Sequence, residues 1–179
     1  MIFIEEHCSS KERSSEPIIT LCLPENLYKR LKTLNIDIES LIIDSLFQEL
    51  NLDPNEEYES RVELAKRFFE EGTRLIDEDP VQASEKLYKA AEEAIKALII
   101  KQDLAEILSK VRSRGRWKTE DFFEAINILR ERYGDNIRRI WNSAWTLHVW
   151  GFHEAKATKE YVKANIQDIR DLIDLLKKQ

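Results

Sequence analysis

The stretch DPNEEYESRVELAKRFFEEGTRLIDEDP, residues 53–80, decides the fold class. Asp53 stands before Pro54, and Asp79 stands before Pro80. Each pair marks a helix start. The carboxylate accepts from backbone N–H groups that have no partner inside the helix. Proline suits the first turn because its missing N–H would be unpaired there anyway. Between the two starts, Tyr58, Val62, Ala65, Phe69, Gly72 and Ile76 recur at steps of 4, 3, 4, 3 and 4. That spacing keeps them on one helical face and predicts an amphipathic helix.

Toward the C-terminus the same pattern repeats. Leu87, Ala91, Ala94 and Leu98 predict a second long helix to about Lys101, with small residues that allow close approach. Residues 104–111 predict a short helix, and KVRSRGRWK, residues 110–118, a loop. Thr119 is the expected cap of the next helix, with Glu120 and Asp121 at the positive end of its dipole. Phe122, Ile126, Leu129 and Tyr133 are its stripe, and Gly134 ends it. Asp135 caps another helix, with Ile137, Trp141, Ala144 and His148 in line and Gly151 near its end. Thr158 caps the last, whose stripe is Val162, Ile166, Ile169, Ile173 and Leu176. Long helices with short connections imply an antiparallel bundle of four to five helices over residues 53–179. There is no internal repeat.

Toward the N-terminus, residues 1–17 are polar and are expected to form a flexible arm. Residues 18–23 predict a β-strand with Ile19, Leu21 and Leu23 on one face and Ile18, Thr20 and Cys22 on the other. Pro24 then opens a short helix marked by Leu27, Leu31 and Leu34, and a second helix carries Leu41, Ile42, Leu46 and Leu50. A lone strand is not stable, and its simplest partner is the same strand of a second chain. The expected architecture is therefore all-α, with a small strand–helix–helix dimerisation module at residues 18–52 and a homodimer built on the Ile19, Leu21, Leu23 ribbon.

Composition narrows the function classes. The chain has 179 residues, 42% of them hydrophobic, with only 4 Gly and 4 Pro, which fits a helix-rich globular protein. Cys8 and Cys22 are too few for a disulfide framework, so a reducing cytoplasm is expected. The start, MIFIEEHCSS, has acids where an export signal needs bases. No apolar run approaches the ~20 residues of a membrane span, so no membrane partner is expected. A net charge of −6 argues against coating nucleic acid with the whole surface but leaves room for a local basic patch.

Two resemblances follow from these residues. The ribbon ITLCLP with the helices ENLYKRL and IDIESLIIDSLFQEL resembles the ribbon-helix-helix fold, a dimerisation and DNA-binding fold. The outward ribbon residues of that family, usually polar or basic, correspond here to Ile18, Thr20 and Cys22. Asp37 and Glu39 sit where the family offers a helix N-terminus to a phosphate, and carboxylates there repel it. Residues 1–52 hold 9 acids and 5 bases. Because DNA affinity comes from neutralising phosphates, the module is poorly equipped for DNA. The second resemblance covers residues 64–176. KLYKAAEEAIKALI, GRWKTEDFFEAINIL and IWNSAWTLHVWGFHEA are similar to the archaeal PaREP family. That resemblance implies a HEPN-like helical bundle, often dimeric, with no established activity; related HEPN branches include ribonucleases and nucleotide-binding proteins.

The ribonuclease branch pairs an Arg with a His after four to six intervening residues: a cation for the phosphorane and an imidazole beside it. Before His148 those positions hold Trp141, Asn142 and Ser143, and before His153 they hold Thr146, Leu147 and His148. Neither set contains the arginine. A metal site is not expected either. On a continuing α-helix, residues five apart, such as His148 and His153, point about 140° from each other. His148 is then a partly buried imidazole bonded within the bundle. The basic run Lys110, Arg112, Arg114, Arg116 and Lys118, with Trp117 as a stacking face, is the better ligand candidate. The competing reading makes it a solvated loop whose Trp117 caps the bundle. The expected function is a non-enzymatic binding or regulatory protein, without cofactor, holding a nucleotide or RNA phosphate near residues 112–118, with His148 and His153 as secondary candidates. A HEPN-type ribonuclease and a DNA-binding regulator are the alternatives.

Overall fold

The computed structural model describes residues 20–34 and 37–177. Every regular element among them is helical: α1 (Glu25–Thr33), α2 (Ile38–Leu50), α3 (Pro54–Leu75), α4 (Pro80–Lys101), α5 (Ala105–Arg114), α6 (Thr119–Tyr133), α7 (Asn136–Thr146), a π-helical segment (Leu147–His153) and α8 (Lys159–Leu176). The chain divides into two compact units, Met1–Leu46 and Phe47–Gln179.

In the first unit the expected strand is corrected. Residues 20–23 have irregular backbone and lead into α1, with Pro24 as its N-cap. A strand needs a neighbour for its backbone N–H and C=O groups, and no second strand exists among the described residues. Of the expected ribbon, Leu21 is exposed and Leu23 half-buried; Ile18 and Ile19 lie outside the described residues, as does the expected arm. Leu27, Leu34, Leu41, Ile42 and Leu46 are all exposed. Asp37 opens α2, accepting from the Glu39 N–H at 3.2 Å and the Ser40 hydroxyl at 2.6 Å.

The second unit starts as its sequence dictates. Asp53 accepts from the N–H groups of Asn55 (2.8 Å) and Glu56 (3.1 Å), while the Glu56 carboxylate accepts from the Asp53 N–H at 3.3 Å. This is a capping box. Asp79 caps α4 through the Gln82 N–H at 3.0 Å, and Thr158 caps α8 through Tyr161 at 3.2 Å. Helix α4 is the centre of the unit, packing against α3, α5, α6, α7, α8 and the π segment. Every residue from 93 to 100 is buried, including Ala94 and Ala97. Such small side chains let neighbouring backbones come close, so one helix can serve several partners.

Two departures from expectation shape the unit. Helix α5 runs on to Arg114, so the expected loop shrinks to residues 115–118. Helix α7 ends at Thr146 and changes to π geometry instead of continuing as α. With six α-helices and the π segment, the unit has more elements than the four or five expected. The π segment packs closely on α4. A Cβ on Gly151 would lie 2.8 Å from Ser84 Oγ and 3.0 Å from Ser84 Cβ. Only glycine lets the backbone come this close to α4.

The core also holds a cluster of charges. Arg61 (α3), Glu93 and Lys96 (both α4) are 2%, 4% and 0% exposed. Arg61 donates to Glu93 at 2.8 Å, and Lys96 donates to Glu93 at 2.7 Å. Burial raises the Glu93 carboxyl, but Lys96 and Arg61 outweigh it and hold the group below its ordinary range.

Candidate functional site

The two histidines that an α-helix would separate are brought together. In a π turn the closing hydrogen bond runs from i to i+5; here the Glu154 N–H donates to Val149 O at 3.1 Å. Residues five apart therefore return to one side. His148 Nε2 and His153 Nε2 are 3.0 Å apart, a hydrogen bond in which one ring donates to the other. This corrects the diverging geometry expected from the sequence.

Glu85, on α4, accepts from His148 Nδ1 at 2.8 Å. That bond sets the tautomer and leaves Nε2 to face His153. Tyr88, three residues further along α4, stacks on the His148 ring with centroids 4.0 Å apart. Trp145 tilts against the same ring at 5.6 Å. The His148 side chain is 18% exposed, whereas His153 lies at the surface. Burial, then the neighbouring His148, lowers the His153 pKa below its usual value, with Glu85 opposing. Burial, then Glu92 and Glu85, raises the Tyr88 hydroxyl, which stays protonated. The arrangement is a carboxylate, a fixed imidazole and a surface imidazole in series, able to take up and pass a proton.

The basic run is divided by its helix. Lys110 and Arg114 are one turn apart on α5 and share a face. Lys110 donates to both Glu124 carboxylate oxygens at 2.9 Å, and Glu124 raises its pKa. Arg114 donates to Asp121, a buried carboxylate that also accepts from the Lys118 N–H at 2.8 Å. Asp121 thereby serves the start of α6, a role expected of Thr119. Gly115 ends α5 in the left-handed region at φ 72°, where its N–H reaches Val111 O at 2.9 Å. Arg112, Arg116 and Lys118 are exposed and form no ion pair among the described residues.

Trp117 is half-buried. Its ring stacks on Phe122 with centroids 5.7 Å apart, and Arg61 and Lys96 sit 5.6 and 5.7 Å from its centroid. The indole covers the buried charges. The cationic turn and the imidazole pair are separate places: Glu85 and Lys96 lie about 16 Å apart along α4.

Glu85 and Tyr88 were not legible as site residues, because nothing in α4's own pattern marks them. A polar cleft of about 570 Å³ also escaped the sequence reading; Arg138, Arg139, Asn142, Ser143, Thr146 and Asn165 are among its lining residues. Arg139 is held there by Asp168, and Ser143 donates to the same carboxylate at 2.5 Å.

Fold and sites define an all-helical protein with an imidazole pair at a π-helical bend and a cationic turn beside its central helix. The chain belongs to the archaeal PaREP1/PaREP8 family, whose sequence model matches residues 60–173. It is 44% identical to a Sulfolobus solfataricus protein of known crystal structure, with a TM-score of 0.60 over 64% of this chain and 94% of that one. A solution structure of an open-reading-frame product, Orf c02003, is 46% identical with a TM-score of 0.56, covering 63% of this chain and 87% of that one. No curated protein matches. No helix among the described residues is long and apolar enough to cross a membrane.

Proposed function

We propose that this protein is a non-enzymatic binding or regulatory protein that holds a phosphate-bearing ligand, a nucleotide or RNA, on the turn between α5 and α6. The observation that carries this reading is the division among the five bases. Lys110 and Arg114 are spent on Glu124 and Asp121, while Arg112, Arg116 and Lys118 face solvent without an ion pair among the described residues. Guanidinium groups match phosphate oxygens in pairs, and residues 112–118 carry bases with no acid among them, against the acidic net charge of the chain. Trp117 supports the turn from below and is not assigned a stacking role.

The test is a thermal-shift panel of nucleotides and short RNAs on wild type and on Arg112→Ala/Arg116→Ala. A ligand at one hundred times its Kd stabilises by about 2.7 kcal/mol. The shift should vanish in the double variant and shrink as salt rises. No shift with any ligand defeats the reading. Arg114→Ala is a poor probe, because it strips Asp121 of a partner.

The helical unit is read as HEPN-like, and the N-terminal module as its dimerisation device. The exposed Leu27, Leu34, Leu41, Ile42 and Leu46 support a homodimer, since a free chain leaves this apolar surface in water. Light scattering on wild type and Leu46→Glu tests it: a monomeric wild type rejects the dimer. DNA binding through this module is disfavoured by Asp37, whose carboxylate occupies the α2 N-terminus.

A second reading, an RNA-cleaving enzyme, is favoured by the Glu85–His148–His153 series. No arginine stands before either histidine at the spacing the ribonuclease branch uses. Arg139 is paired with Asp168 of α8, whereas His148 is paired with Glu85 of α4. RNA degradation abolished by His148→Ala would support the enzyme.

A further inference from the structure

We infer that His148 and His153 form a binding site for a divalent transition-metal ion, with Glu85 as the carboxylate behind the first ligand. The inference is independent of the phosphate-binding reading and uses different residues. Four observations carry it.

The first is register. The π segment Leu147–His153 returns the two imidazoles to one side and directs Nε2 at Nε2, 3.0 Å apart. Two nitrogens bound to one zinc at about 2.0–2.1 Å lie roughly 3.3 Å apart at the tetrahedral angle. The His153 ring, at the surface, would swing so that both lone pairs converge on one point instead of along the N–N line. The second is the tautomer. Glu85 accepts from His148 Nδ1 at 2.8 Å, which leaves the Nε2 lone pair directed at the site. A carboxylate on the far nitrogen is the usual partner of a metal-bound histidine, orienting the ring and raising its basicity. A metal ion would displace the proton that His153 Nε2 donates to His148 Nε2, leaving His153 protonated on Nδ1.

The third is rigidity. Tyr88 stacks on His148 with centroids 4.0 Å apart, and Gly151 seats the segment on Ser84. Both ligands thus sit on a backbone held against α4, which lowers the ordering cost of binding. The fourth is donor chemistry. Two imidazoles suit Zn²⁺, Ni²⁺ or Cu²⁺, whereas Mg²⁺ and Ca²⁺ require oxygen donors. No group of three His, Cys, Asp or Glu among the described residues forms a metal cage. The protein therefore supplies two donors, and water or a bound ligand supplies the rest. That is an open site rather than a structural one.

The test is calorimetric titration of the chelator-treated, full-length protein with ZnCl₂. One ion per chain should bind, and MgCl₂ should give no heat. His153→Ala, at an exposed position, should weaken zinc binding more than tenfold with an unchanged circular dichroism spectrum. Glu85→Gln should weaken it by about 10- to 100-fold. His7→Ala/Cys8→Ala should leave it intact. Absence of zinc binding at about 1 mM overturns the inference. So does binding that survives His153→Ala, or that is lost only in the His7/Cys8 variant.

Discussion

Glu93→Gln is the sharpest test of how the second unit is held together. Glu93 is 4% exposed and neutralises two buried cations, Arg61 at 2.8 Å and Lys96 at 2.7 Å. Gln keeps the shape but removes the charge. Breaking a buried ion pair from one side costs about 3–5 kcal/mol, because the partner stays buried and uncompensated. Here each cation keeps a second carboxylate: Glu57 for Arg61 at 3.0 Å and Glu92 for Lys96 at 2.9 Å. The loss should therefore fall at the low end, about 3 kcal/mol. For a chain of this size that lowers Tm by roughly 6–12 °C. Urea denaturation and calorimetry at neutral pH measure it. The pH dependence has a definite sign. The folded-state pKa of Glu93 is held below the model-compound value of 4.5. Its contribution is therefore complete above that value and is lost as pH falls through the folded pKa. The gap between wild type and Glu93→Gln should close in acid. A loss under about 1 kcal/mol at neutral pH would refute the reasoning, and so would a gap that does not narrow in acid. Replacing the triad together, as Arg61→Met/Glu93→Leu/Lys96→Met, should cost less than Glu93→Gln, since no cation is then left buried. The remaining cost falls on Glu57 and Glu92, each 18% exposed, which lose these partners.

Three further outcomes are expected. Gly151→Ala gains about 1 kcal/mol of helix propensity but crowds Ser84 at a cost of about 1–3 kcal/mol, for a net loss near 1. Adding Ser84→Ala removes the nearer clashing atom and should recover part of that loss; an identical loss with and without the Ser84 hydroxyl would rule out the packing argument. Asp121→Ala removes the acceptor for both the Lys118 N–H and Arg114, and should cost about 1–2 kcal/mol in urea denaturation without abolishing ligand binding at Arg112 and Arg116. Because the folded-state pKa of His153 lies below 6.5, the unfolded chain takes up this proton first, and stability falls as pH drops from 6.5 toward the folded value. Wild type should lose Tm faster than His153→Ala between pH of about 7 and 5; parallel curves would reject this assignment.

Much of the fold was legible because it is local. Asp53-Pro54, Asp79-Pro80 and Thr158 act on N–H groups two or three residues away, so their caps can be read directly and appear at those positions. Tyr58, Ala65, Phe69, Gly72 and Ile76 are buried as their spacing requires. Arg61 and Phe68 are also buried, and they were not in the predicted stripe. A charged side chain reads as solvated until Glu93, thirty-two positions away, supplies its counter-charge. The expected strand failed for a related reason: an apolar run ahead of Pro24 is compatible with a strand, but a strand exists only where another backbone pairs with it.

The candidate sites divide in the same way. Five bases around Gly115 can be counted in the sequence. Helix α5 and its contacts with Glu124 and Asp121 decide which of the five remain for a ligand. His148 and His153 can be seen in the sequence, but whether they meet depends on the helix period between them. The wider π turn changes divergence into contact, and Gly151 seats that turn closely on Ser84. By itself the sequence determined the long helices, the caps at Asp53, Asp79 and Thr158, and the family resemblance. It did not determine the other caps: Asp135 makes no side-chain cap on α7, and Asp121 takes the place expected of Thr119. Tertiary packing decided which charges are buried, which are left exposed, and that two imidazoles face each other, because each of these turns on a partner far away along the chain.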